Sequence, residues 1–490
     1  MLPLSNLINF SDSPSRVVII GGGITGLTTA YRLHQLIKKN KLPIEVKLLE
    51  ASKKVGGILR TEKRDGFLLE QGPDAFISTK PWAIELCRDL GLADQLIKPN
   101  LDNPRSFIVR AGQLQPVPEG FYLMAPSSLR PFLASPIFSW RGKLRMIMDL
   151  FLPTKDVSTD ESLEDFVVRR LGREAFDRMA QPMIGGIYSA NPKKLSLQAT
   201  MPQFLQLEQK YGSIIRALME TMSERSSGAR YGIFRTFDQG IQVLVNELLK
   251  KLPVGMVETG SMVTKITKIM KPEKNDVWNI EVNNQSETNL VADQLCLALP
   301  ATQMTQLLSS DIPKLSCLLE SVSYASSATV NLAFSRAQIK HHLGGMGFVV
   351  PAIEDRSITA CTFSSLKFPY RAPEGQVLLR AFIGGALQQH LLDYSDNDLL
   401  NLVLADLQDL LGIIGQPILS QICRWDRSSP QYNLGHLERI SQINLAVSKI
   451  KGLELAGNAF HGVGIPDCVN SGNKAAESIF KSLSSDMNKS

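Results

Sequence analysis

An α/β fold whose parallel sheet is completed by distant stretches of one chain is what this sequence predicts, and three patterns predict it. A buried-strand run, a glycine turn, a helical spacing and a second strand follow one another between Val17 and Glu50. A second strand, glycine turn and helix unit closes the chain around Leu453 to Phe480. Between them, helical spacing dominates from Pro81 to Glu220, broken by turns at Pro116, Pro118, Pro126, Pro131 and Pro136. Alternating, strand-like runs dominate from Val254 to Leu299 and from Tyr324 to Ile383.

The first unit is the most informative. Val17-Val18-Ile19-Ile20 is wholly apolar and β-branched, as a parallel strand covered on both faces must be. Gly21-Gly22-Gly23-Ile24-Thr25-Gly26-Leu27 follows at once, then Ala30, Leu33, Leu36 and Ile37 at helical spacing, then Val46-Lys47-Leu48-Leu49 ending in Glu50. Gly21 permits the tight turn, Gly23 lets backbone approach a pyrophosphate, and Gly26 lets helix and strand pack closely. The helix N-terminus then faces the phosphates, and Glu50 is placed to accept from an adenosine ribose while repelling a 2′-phosphate. A glycine turn alone is weak evidence; with both strands, the helix and the acid it predicts a Rossmann-like dinucleotide site.

The stretch after Glu50, Ala51-Ser52-Lys53-Lys54-Val55-Gly56-Gly57 and Arg60, resembles the second glycine motif of amine-oxidase-like flavoproteins, and Glu70-Gln71-Gly72-Pro73-Asp74-Ala75 continues that pattern. This likeness implies FAD. Near the other end, Leu453-Glu454-Leu455-Ala456-Gly457 reads as a strand meeting a turn, and Gly462-Val463-Gly464-Ile465-Pro466-Asp467 as an entry loop to a helical stretch around Gly472 to Phe480. The resemblance places that helix N-terminus at the flavin pyrimidine, where a positive dipole end stabilises the reduced anion. Ser471-Gly472-Asn473 lacks a cysteine for covalent attachment, so the flavin is expected to be non-covalent.

Composition excludes several alternatives. Over 490 residues, 44% apolar and 20% charged residues suit a compact body of two to four lobes. A net charge of +6 without a long Lys/Arg block argues against a nucleic-acid surface. Six cysteines without a CxxC pair fit free thiols, and the adjacent His341 and His342 cannot share a face as metal ligands would; no metal site is expected. Met1 to Ser15 carries no basic start or sustained apolar run and no apolar run is long enough to span a bilayer, so the expectation is cytoplasmic. Arg130 to Pro153 mixes apolar residues with Arg130, Arg141, Lys143 and Arg145; a helix pair covering a core is the commoner cause, and a peripheral membrane surface is the alternative.

From about Arg16 to about Lys481 the chain is similar to the oxygen-dependent porphyrinogen oxidases, the protoporphyrinogen oxidases and the coproporphyrinogen III oxidases of monoderm bacteria. The specific stretches are the motifs above with Pro182-Met183-Ile184-Gly185-Gly186-Ile187-Tyr188, Ala372-Pro373-Glu374-Gly375, Arg424-Trp425, Pro430-Gln431-Tyr432 and Gly462 to Cys468. The Lys41 to Glu45 spacer and Gly185 to Tyr188 look more like the coproporphyrinogen branch.

The resemblance implies a discontinuous FAD-binding domain (14–80, 226–310 and 441–483), a mainly helical lobe (81–225) and a mixed-sheet substrate domain (311–440). It implies that Val263 backbone faces the adenine, that Cys296 to Pro300 forms the next core strand, and that Trp425 contacts the flavin. Lys80 is a candidate propionate partner, and Ile187 and Phe382 are candidate cavity walls, Phe382 standing where some relatives carry tyrosine. The implied reaction is the six-electron oxidation of coproporphyrinogen III to coproporphyrin III in haem biosynthesis, with dioxygen as acceptor and hand-over to other haem-pathway enzymes. No residue spacing marks a catalytic base. The alternatives are protoporphyrinogen IX oxidation, an amine oxidase or carotenoid-type desaturase, and a flavin-binding protein without turnover. No second glycine unit suggests a nicotinamide site.

Overall fold

The computed structural model describes residues 14–102, 104–155, 159–221, 232–270, 276–284 and 289–487; most of the Met1 to Ser15 stretch lies outside them. At its centre is a five-stranded, all-parallel sheet in the order Val257–Thr259, Ile44–Glu50, Ser15–Ile20, Gln294–Leu297, Leu453–Leu455. Its strands come from the beginning, middle and end of the chain. Val17 and Ile19 project into one apolar layer, with Leu27, Val469 and Ala476, and Val18 and Ile20 into the other, with Trp278, Leu295 and Met304. Period-2 alternation with both faces apolar is what a sheet covered on both sides requires.

The helix Ile24–Asn40 and the terminal helix Ile465–Met487 cover one face. They come close because Gly472 has no side chain: a Cβ there would stand 2.6 Å from the Thr25 carbonyl oxygen. The terminal helix starts at Ile465, earlier than the entry loop expected from Pro466, because proline in a first helical turn forfeits only an N–H that has no intrahelical partner anyway. Gly472 therefore lies inside the helix. A three-stranded antiparallel sheet, Met262–Ile269, Val277–Asn283 and Asn289–Ala292, flanks the other face and carries Val263.

The second large sheet is mixed and seven-stranded, in the order Leu419–Pro430, Tyr324–Ser335, Gln376–Gly384, Ile358–Thr362, Gly347–Val349, Phe107–Arg110, Gln113–Pro116. All its pairings are antiparallel except Gly347–Val349 against Phe107–Arg110. The last two strands come from the stretch where helical spacing dominates; runs this short are drawn into a sheet by an available edge rather than by local pattern.

Short helices between Leu129 and Thr221 form the third body, around Phe132, Phe166, Met179, Ile184 and Phe204. Arg170 is fully buried among them, paired with Asp149 and bonded to the Leu152, Pro153 and Gly212 carbonyls, so the charge leaves no N–H run unsatisfied at that junction. The Arg130 to Pro153 stretch divides by face. Phe132, Ile137, Phe138 and Met146 enter this core, whereas Trp140, Leu144, Met148 and Phe151 stay 69, 64, 50 and 83% exposed.

Candidate active site

The glycine turn at the end of Ser15–Ile20 is forced by crowding. Gly21 has φ +107°, and a side chain there would run into the Ala298 carbonyl; one on Gly26 would run into the carbonyl of Gly21. Gly23 is different, because nothing lies within 4 Å of the position a Cβ would take. Its open face borders the first turn of Ile24–Asn40, whose N-terminus has no side-chain cap, so the amides of Thr25 and Gly26 remain available. An uncapped helix start beside an open glycine fits a pyrophosphate.

Glu50 and the second glycine pair close over this turn. The Glu50 carboxylate accepts Gly22 N–H at 2.7 Å through Oε2 and Ser52 N–H at 2.8 Å through Oε1, leaving further lone pairs for a ribose. Gly56 donates to the Gly22 carbonyl at 2.8 Å, and Gly57, at φ +59°, lies against Gly23. Ala51 sits between the two motifs, and Ser261 N–H bonds the Glu50 carbonyl at 2.9 Å, which brings Val263 alongside Val18 and Leu49 in one core.

The carboxy-terminal loop reaches the same end of the sheet. Gly457 follows Leu453–Leu455 at φ +139° and donates to Ser471 Oγ; Val463 and Gly464 lead to the helix start at Ile465. Asp467, in its first turn, takes both hydrogen bonds of Lys80 Nζ, at 2.6 and 2.8 Å. Lys80 is thus committed to the end of the terminal helix and is not among the cavity-wall residues.

The segment Glu70 to Asp74 joins the two large sheets by its carbonyls. Asn331 donates to Glu70 O, Thr329 and Trp425 to Gln71 O at 2.7 and 3.0 Å, and Arg380 to Gly72 O at 2.8 Å. Gly72 fits because a side chain would strike the Ile58 carbonyl. After Pro73, Asp74 pairs with Lys367 at 2.9 Å and Arg380 at 3.5 Å. Burial alone would raise its pKa, but those two cations outweigh it and hold the carboxyl well below the usual range. Glu70 behaves oppositely: burial pushes it to about 7 despite hydrogen bonds from Ile241 N–H and Thr61. Ala75 follows Asp74 and leads into the short strand Phe76–Ile77.

A cavity of about 330 Å³ opens between the mixed sheet and the helical lobe. Its walls include Gln181 to Met183, Gly185 to Ile187, Gly347 to Val350, Thr359 to Thr362 and Phe382 to Leu387, so the structure brings Ile187 and Phe382 together. The helix Gln181–Tyr188 enters it after a widened π turn at Phe176–Ala180, where Pro182 cannot supply the usual backbone bond. Sequence reasoning missed Lys367 in the wall and Arg371 and Arg380 behind it. Arg380 had a signal, a lone charge in the apolar strand Gln376–Gly384; Lys367 had none, because its role depends on contacts hundreds of residues away.

Fold and site together define a protein of the dinucleotide-binding parallel-sheet class with a separate substrate cavity. Comparison with known proteins makes this specific: the chain belongs to the family of flavin containing amine oxidoreductases, whose model matches residues 24–480. It is 38% identical over 470 residues to a coproporphyrinogen III oxidase of Bacillus subtilis, covering 95% of this chain and 98% of that one. It is 32% identical to the coproporphyrinogen III oxidase of Staphylococcus aureus, covering 95% and 99%. A solved structure from Exiguobacterium sp. 255-15, provisionally named a protoporphyrinogen oxidase, matches with a TM-score of 0.84 at 31% identity, covering 96% of this chain and 99% of that one. The cofactor of the family is a flavin, FAD, and the uncapped helix start, the open Gly23 and the Glu50 carboxylate fit it.

Proposed function

We propose that this chain is an FAD-dependent porphyrinogen oxidase that takes coproporphyrinogen III to coproporphyrin III with dioxygen as the final acceptor. The observation that carries the reading is similarity to coproporphyrinogen III oxidases along almost the whole chain, joined to a mostly apolar cavity walled by Ile187 and Phe382. Gly21 to Leu27, Glu50, Ala51, Gly56, Gly57, Gly72 to Ala75, Val263, Trp425, Gly457 and Val463 to Ile465 would hold FAD without a covalent link. When bound, FAD supplies the hydride acceptor.

The chain's own contribution is orientation. Aromatisation drives the reaction, so the walls need to hold a large ring in one pose and exclude water. Among the described wall residues there is no carboxylate and no histidine, which agrees with a reaction that needs no acid/base pair. The Cys361 thiol in the wall is pushed far up by burial and stays protonated.

The reading extends to a lipid surface. The exposed Trp140, Leu144, Met148 and Phe151 recur at helical spacing, Arg130 and Arg141 are exposed beside them, and Asp149 is buried against Arg170. That combination suits an interfacial contact with anionic lipid. Among the described residues no helix is long and apolar enough to cross a membrane.

Anaerobic addition of coproporphyrinogen III should bleach the purified yellow protein, air should restore the colour, and amines should do neither. Turnover of protoporphyrinogen IX alongside decides between the two porphyrinogens. A protein bleached by amines, or by no substrate, would overturn the proposal.

A further inference from the structure

Among the described residues of the cavity wall, Lys367 is the only charged one. Its side chain is 14% exposed, and its ammonium is held from three sides. Nζ lies 2.9 Å from Asp74 Oδ2, 5.4 Å from the Phe234 ring centre and 5.0 Å from that of Phe368. Such a position is fixed by packing as well as by charge, unlike that of a lysine free to swing into water.

Neutralising Asp74 does not by itself account for Lys367. Arg380 already stands 3.5 Å from the other carboxylate oxygen, and Arg371 adds a third cation to the same field. One carboxylate therefore faces three positive groups, and Glu70, raised to about 7, offsets them only in part. The remaining positive potential is felt where the low-dielectric wall opens, which is at Lys367. An ammonium has three N–H donors, and Asp74 occupies one of them. Lys80, by contrast, is not a wall residue and gives two hydrogen bonds to Asp467.

We propose that Lys367 is the specificity-determining anchor of the cavity, taking one propionate carboxylate of the tetrapyrrole in a charge-assisted hydrogen bond. It thereby selects which edge of the macrocycle faces the interior, and the other propionates lie toward the cavity mouth. The assignment rests on the porphyrinogen reading above and deepens it. It moves the propionate contact expected of Lys80, which lies outside the cavity wall, to a residue of the wall itself.

The test uses the flavin-loaded full chain and coproporphyrin III, whose fluorescence reports binding without turnover. Dissociation constants are measured for the tetra-acid and for its tetramethyl ester, on the wild type, Lys367→Met and Lys367→Arg, with KM and kcat for coproporphyrinogen III. Lys367→Met should weaken the tetra-acid about 10- to 100-fold, the range set by a hydrogen bond to a charged group. The ester should change by less than about threefold, Lys367→Arg should recover most of the loss, and KM should move more than kcat. If Lys367→Met fails to fold because Asp74 loses its hydrogen-bond partner, Lys367→Gln keeps a neutral donor for Asp74 while removing the positive charge, and it should likewise weaken the tetra-acid and spare the ester. Equal losses for acid and ester, or no loss for the acid, would overturn the assignment. A wild-type chain that neither binds nor oxidises coproporphyrinogen overturns the functional reading first, a result seen before any substitution is made.

Discussion

Tyr432 Oη accepts the Gly462 N–H at 2.6 Å while donating to the Asn458 carbonyl at 2.7 Å. One hydroxyl thus spans the loop between the last parallel strand and the terminal helix, and the Tyr432 ring is held by stacking on His436 at 3.8 Å. Tyr432→Phe keeps the ring and removes only the bridge. It should cost about 1–2 kcal/mol in chemical denaturation, since two part-buried backbone groups lose their partner. It should also speed loss of flavin on dialysis; flavin retention equal to wild type would show that the loop is fixed by other contacts.

Glu70 gives a pH dependence with a definite sign. Its folded pKa, about 7, lies above its ordinary 4.5, so its favourable contribution is full below 4.5 and is lost as pH rises through 7. The size is about 3 kcal/mol by the usual conversion of pKa difference to free energy. Asp74, depressed by its cations, acts in the other direction and only in acid. Glu70→Gln should flatten the stability profile between pH 5 and about 7. Thermal unfolding of both proteins across that range checks it, and parallel profiles would show that Glu70 does not take up a proton there.

Gly472→Ala places a methyl group 2.6 Å from the Thr25 carbonyl and 3.0 Å from Thr28 Cβ. Ala is the better helix former, so a local view predicts stabilisation; overpacking between the two helices should win, with a loss of about 1–3 kcal/mol. A melting temperature at or above that of the wild type would contradict the close packing.

The exposed stripe predicts vesicle binding. The holoprotein should float with vesicles containing anionic lipid and less with neutral ones, and Trp140→Ser/Phe151→Ser should reduce flotation sharply. Because both side chains are mostly exposed, stability should change by no more than about 0.5 kcal/mol per site. Sedimentation of the wild type away from both kinds of vesicle would remove lipid as the partner.

The nucleotide half of the site was legible because its constraints are local. Gly26 is fixed by the carbonyl of Gly21 in its own turn, so there the spacing itself carries the geometry, and Gly21 shows its need for glycine locally in φ +107°, although the carbonyl a side chain would strike is that of the distant Ala298. Ile187 and Phe382 were placed by likeness, and the structure has both lining one cavity, from the helical lobe and the mixed sheet respectively. The charged cluster was not legible, since Asp74, Lys367 and Arg380 meet only when the mixed sheet docks on the Glu70 to Asp74 segment. The same applies to Phe107–Arg110 and Gln113–Pro116: the first becomes a strand because a sheet edge 241 residues later accepts it, as at Phe107 opposite Phe348, and the second because it pairs with the first. Pro466 misled for a local reason: at a helix start it reads like a loop residue.

The parallel sheet takes an outer strand, Leu453–Leu455, and a covering helix, Ile465–Met487, from a stretch more than 400 residues after the glycine turn. During synthesis the glycine turn near residue 21 must therefore wait, with its cofactor face half built, until the stretch from Leu453 to Met487 has left the ribosome. Flavin capture becomes a check on completion: a product terminated before the last helix would carry an intact nucleotide fingerprint yet emerge colourless.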